Sequence, residues 1–376
     1  MPRILILTTS HGASHRRASE ALKKAFLEIQ PDIEVTIIDA IERCSRWFRA
    51  YYDSYIIPLR YWPGLWRWIE TRQHRSSSTS PGWIYRRGGR PLFRYIQDFA
   101  PDVVIATEVG VSELAALYKR QAKSRFFLAA LELMDFNQAW VQPEIDLYAV
   151  AHADLGEELV RAGAPRSNVL DCGMPIDPVY ASLPARAEVR ARLGIEENIP
   201  LLLVLFGGAG FGNAARIVTA LRKVKPPFQA VFIAGKNHAL EKELTKLTIG
   251  ATKGMNWPEW RVLGWVNNMH EWMVAADLLL TKPGGGTVME AAACGLPLLA
   301  FDPLPGNEER TCGWLEKWRV GVWVKTAEDI PAVAGRLLVN AGKRGALRER
   351  AHSLGRPRAA YETAQAILQC SSSHRA

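Results

Sequence analysis

At 376 residues the chain is too long for one ordinary hydrophobic core, so two domains are the default. Hydrophobic residues make up 48% and charged residues 23%, the balance of a folded protein and not of a disordered one. The net charge is +9, and five scattered cysteines without a Cys-x-x-Cys pair argue for reduced thiols in a cytosolic protein, against a disulfide framework or a zinc site.

The chain enters a strand at once, over residues 4–8, and then a charged stretch. This argues against a secretory signal, and no run approaches the roughly 18 apolar residues needed to span a bilayer. The loop His11-Gly-Ala-Ser-His15 leads into a helix predicted over 14–29, with apolar spacing at Ala18, Ala21, Leu22, Ala25 and Phe26. Ser14 is the expected N-cap. That puts His15 in the first turn, where the helix end favours a neutral imidazole able to act as a base. His11 is a further candidate in the same loop. A strand follows over 35–38.

Residues 41–97 then hold eleven arginines against Glu42, Asp53 and Glu70, nearly the whole charge excess, together with five tryptophans and six tyrosines. Arginine mixed with Trp and Tyr, without a long apolar run, suits the headgroup zone of an anionic membrane. Nucleic acid would accept the same residues, but charge concentrated in one aromatic segment favours a lipid surface over it. The purely structural alternative is a helical lid with its tryptophans in the core and its arginines in water.

Strands over 101–107, 125–131 and 147–151 alternate with helices over 112–123 and 155–162. This is the pattern of a parallel sheet covered on both faces. Pro and Gly cluster from 173 to 184 as a hinge. The alternation restarts with strands over 201–206, 229–234, 261–263, 275–281, 296–301 and 321–324. Helices are expected over 213–223, 240–247, 268–275, 287–294, about 330–338 and 358–368. The fold class is α/β, two doubly wound Rossmann-like halves facing across a cleft at the carboxyl ends of their strands. The boundaries read as 1–170, 171–345 and a C-terminal helical piece, 346–376, packing back toward the first domain.

Two glycine loops carry the chemistry of the second half. Strand 201–206 runs into Gly207, Gly208 and Gly210, where a backbone without Cβ atoms allows close approach to a phosphate. Strand 275–281 runs into Gly284, Gly285 and Gly286, with a helix opening at Thr287 and its N–H groups aimed at an anion. Glu290, in the first helical turn, would accept hydrogen bonds from hydroxyls. A diphosphate and a ribose need these two functions. Gly264-Trp265-Val266 could read the edge of a base, and Pro303-Leu-Pro-Gly-Asn307-Glu308 ends a rigid turn in side chains suited to sugar hydroxyls. No carboxylate cluster or His spacing suggests a metal, so helix ends, with or without Lys282, must meet the charge of a leaving diphosphate.

Taken together, Thr281-Lys-Pro-Gly-Gly-Gly-Thr-Val-Met-Glu290, Gly295-Leu-Pro297, Pro305-Gly-Asn-Glu-Glu309, the loop His11–Ser19, Phe99-Ala-Pro-Asp-Val-Val-Ile-Ala-Thr107 and Cys172-Gly-Met-Pro-Ile176 resemble the GT-B glycosyltransferases. The group in question includes the monogalactosyl- and processive glucosyl-diacylglycerol synthases and the peptidoglycan lipid N-acetylglucosaminyltransferase. The resemblance implies an inverting transfer of a hexose from UDP-glucose or UDP-galactose to a diacylglycerol-type lipid, without cofactor or metal. It implies a cytoplasmic protein lying peripherally on the inner membrane face, with residues 41–97 on the anionic membrane surface and no nucleic acid partner. Glu290 would bind the donor ribose, the glycines 207, 208, 210 and 284–286 with Thr287 the diphosphate, Val266 the uracil, and Asn307 and Glu308 the donor sugar. His15, or else Asp135, would be the base. The departures are Ser14 for a glycine, Glu108 for a His after Thr107, Met134-Asp135…Trp140 without its His, and Asn307 for Gln. They leave room for a polyprenyl-linked or other lipid acceptor, or for a degenerate nucleotide-sugar-binding membrane protein without activity.

Overall fold

Short runs of Val, Ile, Leu and Ala that are buried on both faces build two parallel sheets. The computed structural model describes residues 2–375 apart from His11, Tyr55, Asp135, 208–212 and 254–256; for Ile56, Leu59, Arg60, Pro63 and Arg375 it describes the backbone alone. The chain divides into two compact units, Met1–Pro178 with Arg358–Ala376, and Val179–Pro357.

The first unit holds β1 (Arg3–Thr8), β2 (Glu34–Asp39), β3 (Val103–Ala106), β4 (Phe127–Glu132), β5 (Leu147–Val150) and β6 (Val169–Asp171) in the order β2-β1-β3-β4-β5-β6. Every pairing is parallel, and Leu5 stands between Thr36 and Val104. The second unit holds β7 (Leu201–Leu205), β8 (Gln229–Ile233), β9 (Arg261–Leu263), β10 (Leu278–Thr281), β11 (Leu298–Phe301) and β12 (Gly321–Val324) in the order β12-β11-β10-β7-β8-β9, again all parallel. The continuous apolar run Leu-Leu-Leu-Val-Leu of β7 is buried throughout, as a strand covered on both faces requires. In each sheet the chain reverses its direction of travel once, between β1 and β3 and between β7 and β10. At such a point the loops leave to opposite faces and open a crevice beyond the carboxyl ends of the strands. Each sheet is therefore a doubly wound, Rossmann-like one.

Several helix boundaries differ from expectation. The first helix is Ala13–Ile29, and Gly12, not Ser14, holds the cap position, because its φ of 99° is open to glycine. The third-strand helix starts early, at Val109, because the Glu108 carboxylate caps it by accepting from the Val111 N–H at 3.0 Å. β10 begins only at Leu278, after the helix Met269–Ala275 has ended. The helices Arg186–Leu193, Asn307–Trp318 and Ala341–Leu354 and the edge strand β6 were not anticipated. The last helix, Ala359–Arg375, outruns 368 because the hydroxyls of Ser371, Ser372 and Ser373 return to carbonyls of the preceding turn. It packs on Ala13–Ile29 within the first unit, and the Tyr361 hydroxyl donates to the Glu28 carboxylate.

The segment between β2 and β3 is helical: Arg46–Asp53, Ile56–Tyr61, Pro63–His74, Gly82–Gly88 and Arg90–Phe99. Phe48, Ile84, Tyr85, Leu92, Phe93 and Ile96 are its buried face. Trp47, Trp62, Trp68 and Trp83 are 46–61% exposed, so the alternative in which the tryptophans are core does not hold for these four. Among the described residues no helix is long and apolar enough to cross a membrane.

Candidate functional site

In the first unit the candidate residues gather where β1 and β3 diverge. Thr8 ends β1 and Thr107 follows β3, both buried, and the Thr107 hydroxyl donates to that of Thr8 at 3.1 Å. His15 arrives from the first turn of Ala13–Ile29, and its Nδ1 lies 2.5 Å from the Thr107 carbonyl oxygen. A carbonyl can only accept, so Nδ1 carries a proton, which in the neutral imidazole leaves the lone pair on Nε2, the tautomer of a general base. A Cβ on Gly12 would come within 3.3 Å of the imidazole, so the glycine also lets the chain pass close to the ring. Asp135, the other candidate base, and His11 lie outside the described residues.

Sequence reasoning missed a polar lock beside this point. The Glu108 carboxylate also accepts from the Tyr52 hydroxyl at 2.7 Å, which ties the aromatic insertion to the residue after Thr107. One turn on, buried Glu113 accepts from the Thr79 N–H at 2.8 Å, from the Thr79 hydroxyl at 2.7 Å and from the Ser78 hydroxyl. Burial pushes its carboxyl up to about 7, against the pull of those hydrogen bonds. Burial, with the Glu113 charge second, also holds the Tyr85 hydroxyl well above its ordinary value. A Cβ on Gly110 would meet the Tyr85 and Tyr52 hydroxyls at 2.9 and 3.0 Å, so only glycine fits between them. The anchor of residues 76–80, Glu113, lies 34 and 35 residues away from Thr79 and Ser78, beyond any local pattern.

In the second unit the two glycine loops leave β7 and β10 at the reversal point. Gly207 has φ +73°, while Gly208 and Gly210 lie outside the described residues. The helix after β10 is Gly285–Ala293, with extended Gly284 as its cap, so it opens two residues earlier than expected. Gly285, Gly286 and Thr287 form its first turn, where N–H groups have no carbonyl four residues back. Glu290 consequently stands in the second turn, not the first, and is buried. Without a side chain at 284–286 the helix can start directly at the strand end.

Glu308 joins this group. Its Oε2 accepts from the Leu304 N–H at 2.6 Å, and a Cβ on Gly284 would lie 3.9 Å from its Oε1. Burial raises the Glu308 carboxyl above its ordinary value, with Lys282 pulling the other way. Lys282 also pairs with Asp302 at 3.6 Å. Phe206, Thr281, Lys282, Phe301 and Asp302 line a cavity at the carboxyl ends of β7, β10 and β11. Asn307 is exposed and accepts from Arg310 at 2.5 Å. Val266 follows β9, on the same edge but two strands beyond β7, about 10 Å along the sheet. Its neighbour Trp265 is 48% exposed, with Lys236 4.6 Å from the ring centroid and Asn267 accepting its N–H at 2.8 Å. The structure thus brings Gly207, Gly284–Thr287 and Glu308 to adjoining strand ends, with Val266 farther out.

Two family models match. Residues 15–176 fit monogalactosyldiacylglycerol (MGDG) synthase, and residues 201–309 fit the glycosyltransferase family 28 C-terminal domain. The chain is 26% identical over 374 residues to a processive diacylglycerol beta-glucosyltransferase of Bacillus cereus (strain G9842), covering 98% of this chain and 93% of the relative. It is 25% identical over 394 residues to the chloroplastic monogalactosyldiacylglycerol synthase 3 of Arabidopsis thaliana, covering 97% and 80%. Among solved structures, Acinetobacter baumannii MurG superposes with a TM-score of 0.67 at 16% identity over 98% of this chain and all of that one. Anabaena HepE in complex with UDP gives 0.60 at 15% identity, over 99% and 100%.

Proposed function

From the premise that this chain is a GT-B protein resembling the monogalactosyl- and processive glucosyl-diacylglycerol synthases, we propose that it is an inverting glycosyltransferase that moves a hexose from UDP-glucose or UDP-galactose to the hydroxyl of diacylglycerol. The observation that carries the reading is Gly207 after β7 and the start of the Gly285–Ala293 helix after β10, on neighbouring strands at the reversal point of the sheet. The diphosphate would lie on the N–H groups of Gly207 and Gly285–Thr287, Glu290 would take the ribose hydroxyls, and Val266 would meet the uracil. Glu308 and Asn307 would hold the sugar.

Nε2 of His15 would remove the acceptor proton as the hydroxyl attacks the anomeric carbon from the face opposite UDP. General-base catalysis of this kind is worth about 10²–10⁴-fold. Positioning and the dipoles of the helix end would supply the rest. No metal takes part in this transfer, so turnover in excess EDTA is expected to equal turnover with magnesium. Residues 41–97, with their exposed tryptophans, would rest on an anionic membrane at its cytoplasmic face, within reach of the lipid acceptor.

The test is UDP release by the full chain on vesicles containing diacylglycerol and anionic phospholipid, with each UDP-hexose in turn. The mass of the lipid product separates diacylglycerol from a polyprenyl-linked acceptor. No UDP release with either donor overturns the proposal, and UDP binding without turnover would leave a nucleotide-sugar-binding protein in its place.

A further inference from the structure

The opposite edge of the second sheet carries a charge imbalance that this function does not use. Two helices each present an arginine pair at i, i+4 to the amino end of β10: Arg186 and Arg190 from Arg186–Leu193, Arg344 and Arg348 from Ala341–Leu354. They converge on one carboxylate. Asp277 takes Arg186 at 2.8 Å, Arg190 at 3.1 Å and Arg344 at 4.0 Å, and its Oδ2 also accepts from the Leu201 N–H at 2.9 Å. Glu197 is the next acidic side chain acting on Arg190.

Asp277 is therefore saturated while positive charge remains. Much of the remaining donor capacity is spent on carbonyls: Arg186 on Ala276 at 2.8 Å, Arg190 on Ala275 and Ile199 at 2.8 Å each, and Arg344 on Leu337 at 2.8 Å. These bonds brace the strand end. They do not account for Arg348, whose one hydrogen bond among the described residues is to the Ala276 carbonyl at 3.3 Å. Nor do they account for Arg190, 4% exposed, whose buried Nε–H has no acceptor among the described residues. Burial lowers the proton affinity of both the Arg190 and Arg348 guanidinium groups, and the charges of their arginine neighbours lower it further. Guanidinium groups that repel one another beside a single satisfied carboxylate are the setting an oxyanion completes. Their planar forks match phosphate oxygens two at a time.

We propose that Arg186, Arg344 and Arg348, braced by Arg190 and Asp277, form a binding site for a phosphate-class oxyanion at the amino edge of the second sheet, distinct from the donor loops at the carboxyl edge. The ligand is free phosphate or the phosphate of an anionic lipid headgroup.

The experiment measures thermal unfolding of the full chain in saturating UDP, which fills the donor loops. Sodium phosphate is compared with sodium chloride at equal ionic strength. Phosphate at about ten times its dissociation constant is expected to raise the midpoint by about 2–4 °C, and Arg348→Gln and Arg344→Gln are each expected to abolish the rise. A rise that persists undiminished in Arg348→Gln is the general effect of phosphate on burial and overturns the site, as does no rise in the parent chain. UDP binding by the variants, expected unchanged, shows that they fold. Co-sedimentation with phosphatidylglycerol vesicles then identifies the source. Loss in Arg348→Gln assigns a headgroup, and parental binding assigns free phosphate.

Discussion

The imidazole of His15 is held by a contact that no local pattern contains. The loop, the helix start and the histidine are adjacent in sequence, so a candidate base at 15 is legible there. The Thr107 carbonyl that orients it is 92 residues away, and it arrives only because β1 and β3 are neighbours. Replacing His15 by Ala removes the Nε2 lone pair and leaves the second unit untouched. Turnover is expected to fall about 10²–10⁴-fold with UDP affinity unchanged, measured by UDP release and by calorimetry; an unaltered turnover number would move the base to Asp135. Glu290 makes the complementary case. It is buried in the second helical turn and not the first, so its carboxylate would meet a ribose in a site with little competing water. Glu290→Ala is expected to weaken UDP binding about 10–100-fold, the worth of one or two hydrogen bonds to a charged group, and an undiminished affinity would remove it from the donor site.

Elements were legible where burial wrote the pattern and obscure where it did not. The buried strands declared themselves as apolar runs. Ala341–Leu354 was missed because only Ala351 on it is buried, so it carries no apolar period. Asn307–Trp318 was missed because its start, Pro-Gly-Asn, is also turn chemistry. The Gly285–Ala293 helix was placed two residues late because three glycines read as loop. The Ser76–Ser80 turn was invisible as structure because its anchor, Glu113, belongs to another helix.

That anchor makes a prediction about pH. The Glu113 carboxyl is raised from 4.5 to about 7, so the folded chain holds this proton more tightly than the unfolded one. The stabilisation is present in full below about pH 4.5 and is lost as pH rises through about 7, by on the order of 3 kcal/mol. Hydrogen exchange at residues 76–80 should therefore quicken from pH 5 to pH 8 beyond the intrinsic rate. Glu113→Gln, which keeps an acceptor and cannot ionise, should remove that excess. Equal pH slopes in the two proteins would show that the carboxyl does not titrate in this window.

Across the molecule, charge and exposed aromatic area coincide in one segment. The eleven arginines of residues 41–97, less three acidic residues, leave a net charge that is nearly all of the +9, and the same segment exposes Trp47, Trp62, Trp68 and Trp83. Arginine alone would give binding that salt abolishes, because exposed charges are screened beyond about 10 Å at 0.1 M ionic strength. Tryptophan would add a part that salt does not screen, through apolar area buried in the headgroup zone. The two contributions are separable. Raising salt from about 50 to about 500 mM should weaken binding to phosphatidylglycerol vesicles steeply but incompletely. The triple variant W47S/W62S/W68S should lose the salt-resistant remainder, on the order of 100-fold in partition if each indole contributes about 1 kcal/mol. These side chains lie outside the buried face formed by Phe48, Ile84 and Leu92, so the unfolding midpoint and UDP affinity should stay within error of the parent. Binding that salt removes completely in the parent chain would make the segment a purely electrostatic contact. Binding that the triple variant retains in full at high salt would move the apolar contact off this surface.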